Sequence, residues 1–71
     1  MKSDFNVIIE QDTDGNYVAS VPALRGCHTQ GTSLDQVMDR IREAIALCLE
    51  EQGENVEPLS FVGIQTVSIS P

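Results

Sequence analysis

Seventy-one residues make one small domain, 1–71, with no room for a second core. A composition 41% hydrophobic and 21% charged argues against disorder, which needs low hydrophobicity together with high net charge. Four Lys and Arg against eleven Asp and Glu leave a formal net charge of -7, which repels nucleic-acid phosphates and anionic membrane surfaces.

Two cysteines, Cys27 and Cys48, fall short of the disulfide framework that stabilises small secreted domains. Met1 to Asp4 lack the basic start and apolar run of a signal peptide. Nor does any apolar stretch approach the roughly 20 residues that span a bilayer. These features predict a soluble cytoplasmic protein with reduced thiols. A chain of this size buries only about 60% of its unfolded surface, so self-association as a homo-oligomer, dimer or tetramer, is expected to reinforce it.

In chain order, Phe5, Val7 and Ile9 alternate with Asn6, Ile8 and Glu10, the period of a strand with one buried face. Asp12-Thr13-Asp14-Gly15-Asn16 is a run of turn residues. Tyr17, Ala19 and Val21 then alternate in a second strand, so a hairpin is predicted. A two-residue Asp14-Gly15 loop would pair Ile9 with Ser20. A loop of three or five residues instead brings both apolar sets to one face, and a one-residue slip exchanges the faces, so the odd loop is favoured.

Pro22 ends the second strand because proline cannot donate to a central ladder. Between Gly26 and Gly31, Cys27 to Gln30 is long enough for a short third strand, Cys27 and Thr29 facing opposite to His28 and Gln30. Ser33 followed by Gln36 is a capping-box pattern. After it, Leu34, Val37, Met38, Ile41, Ala44, Ile45 and Cys48 recur at helical spacing as one apolar stripe, and Gly53 supplies a stop with Gln52 the last helical residue. Residues 54–60 read as a polar loop. Phe61 to Ser70, rich in Val, Ile, Thr and Phe, reads as a final strand whose parity changes between Val62/Ile64 and Val67/Ile69. Either a bulge near Gln65-Thr66 reconciles the two, or both faces are covered, one of them by another subunit. The order β-β-β-α-β makes an α+β domain, with one helix packed on one face of a mainly antiparallel sheet.

No catalytic set emerges. Glu10, Asp12 and Asp14 before Gly15 resemble the opening of a calcium loop, but the further ligands and the closing Glu are missing, and turn chemistry explains them. The same acids are also a weak candidate for magnesium-dependent phosphodiester hydrolysis, a metal-dependent nuclease being the least favoured alternative. Cys27 and His28 are adjacent on a strand and point to opposite faces, which argues against a nucleophile–base dyad. One His and two Cys are too few for zinc, and no cofactor or metal is expected. Scattered basic residues and three aromatics offer no stacking platform for single-stranded nucleic acid.

Taken together, Phe5 to Glu10, Asp14-Gly15, Tyr17-Val18-Ala19, Val21-Pro22, Leu24, Gly26-Cys27, Thr29-Gln30-Gly31 and Ser33-Leu34 running through Glu43-Ala44-Ile45 resemble the HicB-like antitoxin family. The set is specific as a combination and covers residues 4–52 closely, the last strand more loosely. The resemblance implies a partial ribonuclease-H-like unit and a non-catalytic antitoxin of a type II toxin–antitoxin pair. Its partner would be a small basic HicA-like toxin, an mRNA-cleaving ribonuclease whose catalytic histidine and RNA-binding surface the antitoxin covers. Many members add a helix-turn-helix or ribbon-helix-helix domain that binds the operon's promoter. Nothing of that kind lies within these 71 residues, and with the acidic balance no direct DNA binding is expected of them. The alternative is an orphan self-associating regulatory module without a toxin.

Charge complementarity with a cationic ribonuclease speeds association. Glu10, Asp12, Asp14, Asp35, Asp39 and Glu43 are the candidate contacts, and with Tyr17 and His28 they complete the partner-binding set. Against each stands the bland alternative of a solvated surface charge, which contributes little.

Overall fold

A computed structural model describes residues 4–52 and 59–71. The described elements are β1 (Ile8–Gln11), β2 (Tyr17–Ser20), β3 (His28–Gly31) and α1 (Leu34–Gln52), the strands forming one antiparallel sheet in the order β1-β2-β3. This is the expected α+β arrangement. Ile9 pairs with Ala19 and Gln11 with Tyr17, so the loop between them is residues 12–16, the odd length that parity demands. Ser20 pairs with His28 and Ala19 with Thr29 across the other ladder.

The turns are built by backbone chemistry. Asp12 Oδ1 accepts hydrogen bonds from the amides of Asp14 and Asn16, both at 2.9 Å, while the Asp12 amide donates to the Asn16 carbonyl at 2.9 Å. Gly15 at φ 86° supplies the left-handed residue that closes the loop. Between β2 and β3, Val21 donates to the Cys27 carbonyl at 2.9 Å, and Leu24 plugs the core from within that connection at 2% exposure.

The helix starts where the capping box lies, with a difference of partner. Ser33 Oγ accepts from the Gln36 amide at 3.1 Å, but Gln36 Oε1 reaches one residue further back and accepts from the Thr32 amide at 2.6 Å. Its buried residues are Val37 and Ile41, which join Ala19, Val21, Leu24 and Cys27 in the core. Met38, Ala44, Ile45 and Cys48 pack at the margin. Leu34, counted in the apolar stripe, is 49% exposed, because it opens the first turn, a turn ahead of Val37 where burial begins.

Gly31 sits directly under this first turn. A Cβ placed on it would lie 3.0 Å from the Val37 backbone nitrogen and 3.1 Å from Gln36 Oε1. Arg40 adds a second tie, donating from Nη1 to the Gln30 carbonyl at 2.8 Å. The helix therefore lies over β3 and β2 and stops short of β1.

The final strand expected over 61–70 is not formed. Residues 59–71 are exposed and carry no strand ladder, and a strand exists only where another backbone satisfies its amides and carbonyls. Their one described backbone tie is the Leu59 amide donating to the Ala23 carbonyl at 3.1 Å. The expected polar loop falls mostly on residues 53–58, outside the described ones.

Candidate partner-binding surface

The eight candidate residues divide into four places rather than one patch. Glu10 and His28 stand exposed on the face of the sheet turned away from the helix, which strand alternation and the ladder register assign to Ile8, Glu10, Val18, Ser20, His28 and Gln30. Half-buried Ile8 and Val18 lie between polar neighbours there, a small mixed surface.

Asp35, Asp39 and Glu43 form the second place, at four-residue spacing along the exposed side of α1. Asp39 is paired within the chain: Arg42 Nη1 lies 3.1 Å from its Oδ1, with both side chains mostly in water. Such a pair contributes little to stability and opens readily for an outside cation. Asp35 lies in the first helical turn, where the helix dipole favours an anion.

Asp12 and Asp14 make the third place, the hairpin tip. Here the turn reading prevails for Asp12, since one of its carboxylate oxygens is already held by two backbone amides. Among the described residues no group of three or more His, Cys, Asp or Glu side chains is placed to hold a metal ion. Tyr17 is the fourth, half-buried against the core on the helix-facing side, on the parity of Ala19 and Val21.

Cys27 and His28 are separated as expected, Cys27 buried at 3% exposure and His28 exposed. Both cysteines are free thiols. Burial, aided by the neighbouring Cys48 thiol, pushes the Cys27 thiol up to about 11, so it is protonated and unreactive at neutral pH.

One feature was missed by sequence reasoning. Phe5, Val7 and Asp4, ahead of β1, face Met38, Ile41, Arg42, Ile45, Ala46 and Leu49 across an open groove of about 550 Å³. It exists because α1 leaves the β1 side of the sheet uncovered. The signal was present as Ala46 and Leu49, which continue the apolar helix surface beside the main stripe.

The comparisons with known proteins bear on what meets these surfaces. The model of a family described as the HicB-like antitoxin of bacterial toxin–antitoxin systems matches residues 5–68. The chain belongs to the HicB-like antitoxin family. It is 52% identical over 65 residues to a UPF0150 protein of Archaeoglobus fulgidus, covering 92% of this chain and 93% of that one. A Synechocystis UPF0150 protein is 47% identical over 68 residues (96% and 97% covered), and a Thermotoga maritima one 36% identical over 66 (92% and 88%). The match includes the exposed segment 59–68 along with the sheet and helix, so that segment is part of the family's sequence pattern.

Proposed function

We propose that this HicB-like protein is a non-catalytic antitoxin that binds and masks a small basic HicA-like ribonuclease. The observation that carries the reading is the family match over residues 5–68, nearly the whole chain. The charge supports it: a domain of net charge -7 attracts a cationic RNA-binding surface and accelerates the encounter. Of the candidate contacts, Asp35, Asp39 and Glu43 are the best placed, lying in one row on a rigid helix. Glu10 and His28 offer a second face, and Asp14 an exposed tip. Masking here is steric and electrostatic, and needs no bond making or breaking by the antitoxin.

Co-expression with a short basic HicA-like reading frame, sought beside this gene, tests the reading. Growth arrest by that product alone, rescued by the parent chain and lost with the triple charge reversal of Asp35, Asp39 and Glu43 to Lys, is the expected result. The complex should also weaken about tenfold or more as salt is raised from low to physiological strength. A partner that binds with no salt dependence, or no toxicity and no co-purification, refutes it.

A further inference from the structure

The segment 59–71, Leu-Ser-Phe-Val-Gly-Ile-Gln-Thr-Val-Ser-Ile-Ser-Pro, contains no charged residue in a chain of net charge -7. It also carries the most exposed large hydrophobic side chains among the described residues, Val62 95%, Ile64 70%, Val67 75% and Ile69 80%. The chain's radius of gyration is 13.8 Å, against about 11 Å for a compact domain of this length. From Val62 onward its aliphatic side chains therefore stand in solvent. Natural proteins blunt a free strand of this composition with Lys, Pro or a cover, and within 61–70 there is neither.

The body carries the complementary defect. Among the described residues β1 is an edge strand, paired on one side only, by β2. The apolar bed beside it, Phe5 and Val7 facing Met38, Ile45 and Leu49, is open because the helix stops short of β1. The opposite edge, β3, is a poorer acceptor, since Gly31 and Gln30 are already held against α1.

We propose that residues 61–70 form a strand in trans: they pair along the free edge of β1 in a second copy and fill its groove, the two copies exchanging segments reciprocally. Three observations select a second copy over a basic partner. The segment has no charge with which to recognise a cation, its β-branched alternation matches the vacant edge of its own fold, and reciprocal exchange closes both edges at once in a two-fold dimer. The dimensions agree. Residues 61–70 extended reach about 33 Å, ample for the roughly 23 Å of residues 5–11. A specific interface needs roughly 1,200 Å² in total. Shared between two segments and two edges, that is about 300 Å² each, which the four aliphatic side chains of one segment supply. A bulge at Gln65-Thr66 turns both Val62/Ile64 and Val67/Ile69 toward the groove.

The test uses the full chain alone, so its outcome is separate from that of the antitoxin reading. Sedimentation equilibrium should give a dimer or a multiple of it, and the double substitution Ile64→Asp with Ile69→Asp should give a monomer that keeps its helical far-UV signal. In a mixture of methyl-labelled and unlabelled chains, isotope-filtered contacts should run from the methyl groups of Val62 to Ile69 of one copy to Phe5 of the other. If the substituted chain fails to fold, these contacts decide by themselves. A monomeric parent, a dimer that the double substitution leaves intact, or contacts confined to one chain would each overturn the proposal.

Discussion

Gly31 offers the sharpest test of how the helix is seated, because its need for glycine is steric and that of Gly15 is conformational. At Gly31 the added methyl group would meet the Val37 nitrogen at 3.0 Å and Cα at 3.2 Å, where ordinary contact begins at 3.4 Å. The obstacles are backbone atoms in the first turn of α1, so the turn must withdraw by a few tenths of an ångström, disturbing Val37 and Ile41, both 0% exposed. Overpacking of this kind costs typically 1–3 kcal/mol, about 2 here, and the lower entropy of the unfolded alanine chain returns about 0.5. Gly31→Ala should therefore destabilise by about 1.5 kcal/mol, a fall in Tm of roughly 6–12 °C for a domain of this size. Gly31→Asn should cost more. At Gly15, where φ is 86° and nothing lies within 4 Å, the order reverses: Asn tolerates the left-handed region, so Gly15→Asn is nearly neutral while Gly15→Ala costs about 1 kcal/mol. Urea unfolding of the four variants at one protein concentration measures the pattern. Gly31→Ala as stable as the parent, or Asn equally costly at both positions, would refute the steric account.

Two further predictions concern the hairpin and the buried thiol. Asp12→Ala should remove the acceptor of two backbone amides and cost about 1 kcal/mol, whereas Asp12→Asn, which keeps an oxygen there, should cost much less; chemical denaturation distinguishes them, and equal losses would mean that the turn does not depend on this contact. For Cys27, with a folded value raised to about 11 from the ordinary thiol value of 9.0, the folded state holds a proton that the unfolded chain has released over that interval. Stability should thus be unaffected below pH 9, fall by roughly 2–3 kcal/mol between pH 9 and 11, and level off above. Cys27→Ala should abolish that limb, and an unchanged alkaline slope would assign it to other groups.

The sheet and helix were legible because each is written in a periodicity that only one arrangement satisfies. Phe5, Val7 and Ile9 could share a face with Tyr17, Ala19 and Val21 through an odd loop alone, and Ile9 indeed pairs with Ala19. The helix ran from its cap at Ser33 to Gln52 as read. Parity also placed Tyr17 with Ala19, so its half-buried, helix-facing position was implied by the same alternation that built the hairpin. Asp12 was legible as a turn residue, though sequence does not reveal that one of its oxygens is claimed by two backbone amides. The final strand failed for a deeper reason: β propensity in Phe61 to Ser70 specifies readiness to pair, and a partner edge is not encoded in the segment itself. The groove was hidden likewise, since it arises from where Gly31 lets the helix settle.

That seating has a thermodynamic consequence. A helix drawn over β3 and β2 leaves β1 to be completed from outside, so under segment exchange part of the core belongs to neither chain alone. Its formation then follows mass action, and the midpoint of unfolding rises with total protein concentration. Dilution acts on such a protein as a mild denaturant, and its stability becomes a readout of how many copies surround it.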